Sequence, residues 1–240
     1  MKLHIYDTEE EVIKALADFF IATVNAAIRK KDECSVVLSG GNSPKKLYQL
    51  LASDEYKNEV DWSKISFFFG DERYVPFDNE DNNGLMAKQT LFEPLNIDES
   101  KIFYIGTSLS PEHDAANYTD AIFTYFGERQ PKFDLILLGL GDNSHTASLF
   151  PHTDVLYEET AIVRPVFLKE QNVYRITMTA PLINEAHKIA FLVYGKLKAE
   201  AVHHVIKDEK NIELYPAQLI QPLDGTVNWF MDTAASRNVM

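Results

Sequence analysis

Short apolar runs alternate along this chain with longer stretches whose apolar residues recur at helical spacing. Leu3–Tyr6 reads as a strand, and Thr8 followed by three glutamates reads as an N-cap with acids in the first helical turn. The helix behind it would carry Val12, Leu16, Phe19, Phe20, Thr23 and Ala27 on one face. Ser35–Leu38 predicts a buried strand, and a helix from Pro44 to Leu51 follows, with Ser43 suited to its cap. Ile65–Phe69 predicts another strand, after which the polar loop "DNEDNN" leads to a helix near Met86–Phe92. Strand Ile102–Tyr104, helix Pro111–Phe126 and strand Phe133–Leu138 come next. Ala161–Val166 and Tyr174–Thr179 are rich in β-formers, Ile189–Tyr194 is apolar, and a helix lies near Leu197–Ile206. The tail "VNWFMDTAA" fits a last strand or a helix edge.

Strands that alternate with helices imply an α/β fold with a doubly wound, mostly parallel sheet flanked by helices, a Rossmann-like three-layer sandwich. No Gly/Ser/Pro-rich linker divides the 240 residues, so the expectation is one domain over 1–240. In such sheets ligands bind in the crevice at the carboxyl ends of the strands. Three polar motifs follow predicted strands: "SGGNSP", "GDERYVP" and "GDNSH". Motifs distant in sequence that belong on one edge make a site.

Net charge sharpens what that site can be. With 36 acids against 23 bases the chain carries −13, a field that repels nucleic acid and anionic membrane alike. A phosphorylated metabolite is repelled too, so a phosphate site would need a local cluster of Arg, Lys and backbone N–H groups. The single cysteine, Cys34, opens an apolar run and reads as packing. No long apolar segment predicts a membrane span, and the first residues lack the pattern of a signal peptide. A cytoplasmic protein is the expectation.

Each motif has a chemical and a plain reading. Gly40 and Gly41, with Asn42 and Ser43, stand between a strand and a helix, where backbone N–H groups suit a phosphate or simply turn the chain. The P-loop pattern is absent, and "GLGDNS" has Ser144 where a dinucleotide fingerprint needs its third glycine. Asp71 and Arg73, two apart, fit a carboxylate and a guanidinium aimed into one crevice, or a surface ion pair. His145 suits a general base titrating near its reference pKa of about 6.5, or a packed helix start. Arg175 and Lys198 are cations beside element ends. The paired His203 and His204 read as helix surface or packing. No set of residues has metal-ligand spacing, and Ser148 lacks the context of a nucleophile elbow.

These residues, with "HTASLFP", "RITMTAPLINEA", "GKLKA" and "YPAQLI", resemble the 6-phosphogluconolactonase family over nearly the whole chain. The resemblance implies hydrolysis of a phosphorylated sugar lactone with no metal or cofactor. It makes His145 the general base and Gly40, Gly41, Asn42 and Ser43 a phosphate cradle. Arg175 and Lys198 become the cations on the phosphate, and Asp71 and Arg73 line the lactone. The family usually reads Asp-Gly-His where this chain has Asn143-Ser144-His145, which leaves Asn143 to orient the base by hydrogen bonding. Two alternatives are glucosamine-6-phosphate deaminase and a non-catalytic sugar-phosphate sensor. Deaminases of this fold carry an acid five residues after the histidine, where this chain has Phe150. Sensors carry a DNA-binding helix-turn-helix, whereas this chain begins directly with a strand and is acidic.

Overall fold

The computed structural model, which describes residues 1–240, contains nine strands and eight α-helices. The first half holds β1 (Lys2–Tyr6), α1 (Glu9–Lys31), β2 (Cys34–Leu38), α2 (Asn42–Leu51), β3 (Ile65–Phe69) and β4 (Asp71–Arg73). Short α3 (Asn83–Ala87) and α4 (Glu93–Leu95) flank a π-helical turn, and α5 (Pro111–Phe126) and β5 (Leu135–Leu138) follow. The second half holds β6 (Val163–Leu168), β7 (Val173–Met178), α6 (Ala180–Asn184) and β8 (Lys188–Val193). It closes with α7 (Ala199–Ile206), β9 (Thr226–Asp232) and α8 (Thr233–Ser236). The tail is therefore strand first, helix after.

Six strands form one wholly parallel sheet in the order β1-β9-β8-β5-β2-β3, flanked by helices as the alternating pattern requires. The middles of its inner strands are rich in apolar residues because both faces are covered. All five residues of β2 and of β3 are buried. The long α1 starts with a complete capping box, Thr8 accepting from Glu11 N–H while the Glu11 carboxylate accepts from Thr8 N–H. Its buried stripe is Val12, Ile13, Leu16, Ala17, Phe20, Thr23 and Val24. No helix is long and apolar enough to cross a membrane.

Three expectations need correction. Ile102–Tyr104 makes only a single parallel bridge, Phe67 with Ile102. Phe103 and Tyr104 turn their rings onto Phe68 and Phe69, at 4.4 and 5.6 Å, and so pack the sheet edge instead of extending it. The strands expected at 161–166 and 174–179 sit at 163–168 and 173–178, outside the parallel sheet; they form a small antiparallel sheet with β4, in the order β4-β7-β6. Ser43 does not cap α2. The helix begins at Asn42, with Gly41 in the cap position and no side chain closing its first N–H groups.

Buried polar groups fix the strand ends. Asp134, just before β5, accepts from Ser35 N–H (2.7 Å) and Ser35 Oγ–H (3.0 Å) and pairs with Lys31 Nζ at 2.9 Å. This locks β5 beside β2. Past the other end of β2, Tyr48 Oη accepts from Ser39 N–H and donates to Ser39 C=O. Tyr118 does the same for Phe69 at the end of β3. These hydroxyls satisfy backbone groups that lose their ladder partners where the strands diverge. Asp134→Ala is expected to cost about 2–3 kcal/mol, because it strands a buried N–H and a half-buried ammonium. Urea unfolding at unchanged m value checks this, and a loss under about 0.5 kcal/mol would assign the β2–β5 alignment to apolar packing alone.

Candidate active site

The carboxyl ends of β2, β3, β5 and β8 open into one cleft of about 370 Å³. Gly40, Gly41, Asn42, Ser43, Asp71, Arg73, His145, Arg175 and Lys198 all line it. Asn143 does not; it lies in an adjoining groove and reaches the cleft through His145.

The two glycines are required for different reasons. Gly41 has φ +99°, a conformation that side chains rarely adopt. Gly40 is pressed against Asn83, so that a methyl group there would sit 1.9 Å from Asn83 Oδ1. Behind them α2 presents its uncapped first turn, which contains no acidic residue. Free N–H groups at the positive end of a helix dipole are a ready anion site.

Opposite stand the cations. Arg73 on β4 and Arg175 on β7 are directly paired across the antiparallel ladder, an arrangement that like charges ordinarily destabilise. The Nε of Arg175 is buried without a hydrogen-bond partner, and burial beside Arg73 pushes its guanidinium pKa down. Arg73 is steadied by donating to the Asp81 carbonyl at 2.8 Å. Lys198, at the start of α7, contacts Asp142 Oδ1 at 2.5 Å. Asp71 is buried, and its Oδ2 accepts from Ser148 Oγ–H at 2.6 Å.

His145 is held on three sides. Phe150 stacks on its ring at 4.0 Å, 19° from parallel. Beneath it Gly141 leaves room: a methyl group there would lie 2.0 Å from His145 Nδ1. The third contact is Asn143 Oδ1, 2.5 Å from Nδ1 and 3.4 Å from the His145 backbone nitrogen, which donates to it. An oxygen that already receives one N–H is the acceptor toward the ring. Nδ1 therefore carries the proton and Nε2 keeps its lone pair. Burial, then the charges of Lys198 and Arg175, lower the His145 pKa to about 4. The sequence-based value near 6.5 is thus corrected downward; the ring is neutral throughout the physiological range.

Sequence reasoning missed Asn83, which arrives from the "DNEDNN" loop. Its side-chain amide donates to the Asp71 carbonyl at 2.9 Å. What brings it there is Glu72, whose buried carboxylate accepts the backbone N–H groups of Arg73, Asn83 and Gly84 at 2.8–2.9 Å. Burial drives that carboxyl up to about 7 against the pull of the three donors. Glu72 itself stands inside the "GDERYVP" motif, between Asp71 and Arg73.

A family model described as Glucosamine-6-phosphate isomerases/6-phosphogluconolactonase matches residues 7–229. The chain belongs to this family. It is 39% identical over 220 residues to the 6-phosphogluconolactonase of a Synechocystis strain, covering 90% of this chain and 89% of that one. The solved structure of 6-phosphogluconolactonase from Trypanosoma cruzi superposes with a TM-score of 0.90 at 26% identity, covering 100% and 97% of the two chains. A monomeric glucosamine-6-phosphate deaminase also superposes, with a TM-score of 0.84 at 22% identity over 99% and 100%. The fold is common to both activities in this family, so the choice between them rests on side chains.

In the loop that carries His145, Ser144 departs from what its backbone needs, as Ala147 does three residues on. Ser144 is buried with φ +63°, the left-handed conformation for which glycine is suited. Its N–H donates to Gly141 C=O and its own C=O accepts from Ala217 N–H, so the turn is held in place regardless of strain. Ser144→Gly is expected to stabilise the protein by about 0.5–1 kcal/mol, relief of the left-handed cost being partly offset by unfolded-state entropy. Thermal unfolding of the two proteins decides it; a lower Tm for Ser144→Gly would mean that the hydroxymethyl group packs better than the backbone suffers.

Proposed function

We propose that this chain hydrolyses 6-phospho-D-glucono-1,5-lactone to 6-phosphogluconate, with Nε2 of His145 as general base. The observation that carries this reading is an imidazole whose Nδ1 is held by the Asn143 amide oxygen, in a cleft with three cations and an open helix N-terminus. The phosphate would rest on Gly40, Gly41, Asn42 and Ser43 and on Arg175 and Lys198. Arg73 and Asp71 would face the lactone ring. Because the substrate cannot cross a membrane freely, the cytoplasm fits as its place of action.

In this mechanism Nε2 takes a proton from a water molecule as its oxygen bonds to the lactone carbonyl carbon. The tetrahedral oxyanion then collapses, the bond from that carbon to the ring oxygen breaks, and the imidazolium returns the proton to the departing oxygen. The new carboxylic acid ionises to carboxylate. Asn143 accepts from Nδ1–H throughout and so stabilises the imidazolium that forms between the two transfers.

Deaminase chemistry requires further acid–base groups beside the histidine. Here Phe150 stacks on one face of the ring and an amide, Asn143, holds its Nδ1. Lactone hydrolysis needs one base and correct orientation, which this site has. Neutral Nε2 predominates above about pH 4, so kcat/KM for unphosphorylated gluconolactone should stay level on the acid side until the pH approaches 4; with the phosphorylated lactone the substrate's own phosphate adds a step at about pH 6. A bound phosphate dianion offsets Lys198 and Arg175, so the acid limb of kcat should lie at higher pH than that of kcat/KM. Both profiles are read with spontaneous opening subtracted, and a kcat/KM limb at about 6.5 on unphosphorylated gluconolactone, which has no phosphate titrating at about pH 6, would show that the cleft does not depress the base. His145→Asn is expected to lose about 10²-fold or more in kcat with ligand affinity kept; retention of most activity would remove the base assignment.

No release of ammonia from glucosamine 6-phosphate is expected at enzyme concentrations that open the lactone within minutes. A coupled ammonia assay tests this directly. Comparable rates on the two substrates would overturn the choice of lactonase over deaminase.

A further inference from the structure

The acidic residues around the cleft divide sharply by what they do. Asp71 receives the Ser148 hydroxyl, and Glu72 receives three backbone N–H groups. Asp232 caps α8 through Ala235 N–H and also accepts Gly195 N–H, thereby fixing the turn that leads to Lys198. Asp142 has no such duty. Its carboxylate caps no helix and accepts from no backbone group or hydroxyl; its one partner is Lys198 Nζ at 2.5 Å. The aspartate side chain is 68% exposed and the lysine 29%.

Resting on the lactonase reading, we infer that Asp142 is an internal competitor for the phosphate-binding ammonium. A sugar phosphate entering the cleft must take Lys198 from Asp142, and once bound it lies close to a carboxylate of the same sign. Because the turn carrying Lys198 is fixed by Asp232, the exchange needs only the lysine side chain to swing. The cost falls more heavily on product than on substrate. Hydrolysis adds a carboxylate to a molecule that already bears a phosphate, so the product is the more strongly repelled of the two. Asp142 thereby weakens retention of product at a site otherwise built to hold anions.

The test is direct binding of inorganic phosphate and of 6-phosphogluconate, by calorimetry, to the wild-type protein, Asp142→Asn, Lys198→Ala and the double variant. Asp142→Asn should bind both anions about two- to fivefold more tightly, the scale of a partly exposed ion pair. The gain should be larger for 6-phosphogluconate, and both gains should vanish in the Lys198→Ala background. Unchanged or weaker binding by Asp142→Asn would make Asp142 a positioner of Lys198 and overturn the inference. An equal gain with and without Lys198 would also overturn it, since the effect would then be the general field of one fewer acid. Absence of phosphate binding by the wild-type protein and Asp142→Asn alike overturns it as well. Lactone turnover is measured in parallel: phosphate binding as expected without turnover would remove the lactonase reading and leave the competition standing.

Discussion

The site exists because β2 runs parallel between β5 and β3. Parallel neighbours point their carboxyl ends the same way, so the residues that follow them emerge at one edge whatever their distance in sequence. From that single constraint come the glycine loop after β2, the Asp71–Arg73 segment after β3 and the His145 loop after β5. The same constraint leaves strand ends without ladder partners. Tyr48 and Tyr118 answer it on opposite flanks, each hydroxyl closing both backbone groups of one residue. The loops therefore leave a rigid edge, which is what holds His145 and the Gly40–Ser43 loop at fixed separation.

Charge is arranged against the chain's overall bias. A protein of net −13 places two arginines on the same rung of a ladder and leaves one buried guanidinium nitrogen unsatisfied. Folding would avoid such a pairing if stability were the only demand. The small antiparallel sheet tolerates it because the parallel sheet and its helices hold the core. The cations in turn lower the histidine's affinity for protons. Burial and these cations together keep the neighbouring imidazole neutral, while the same cations gather positive charge in the cleft.

Much of this was legible in the sequence, and the parts that were not share a cause. Apolar runs bounded by glycine marked β2, β3, β5 and β8, and the polar motifs behind them marked the cleft. Arg175 was legible as a cation but not as Arg73's opposite number, because pairing in β4–β7 depends on register between segments a hundred residues apart. Asn83 was invisible for a similar reason: a polar loop carries no periodicity, and only the buried Glu72 fixes where it lands. The Ser144 backbone was open to the opposite error. Serine suggests ordinary dihedrals, yet the surrounding hydrogen bonds impose a glycine-like conformation on it.

The sheet order also governs when the site can come together. β1 has a single partner, β9, and His4 meets Asn228 across 224 positions of sequence. β9 in turn ends in Asp232, the residue that fixes the approach to Lys198. As the chain is synthesised, the first strand must wait unpaired for the last. Until then an edge of β8 stays open to intermolecular pairing, and the turn before Lys198 is not tied down. Closing so long a loop is entropically slow to reward. The interval before β9 docks is therefore the stage at which this protein is most exposed to misassembly, and the docking that ends it also completes the cationic side of the cleft.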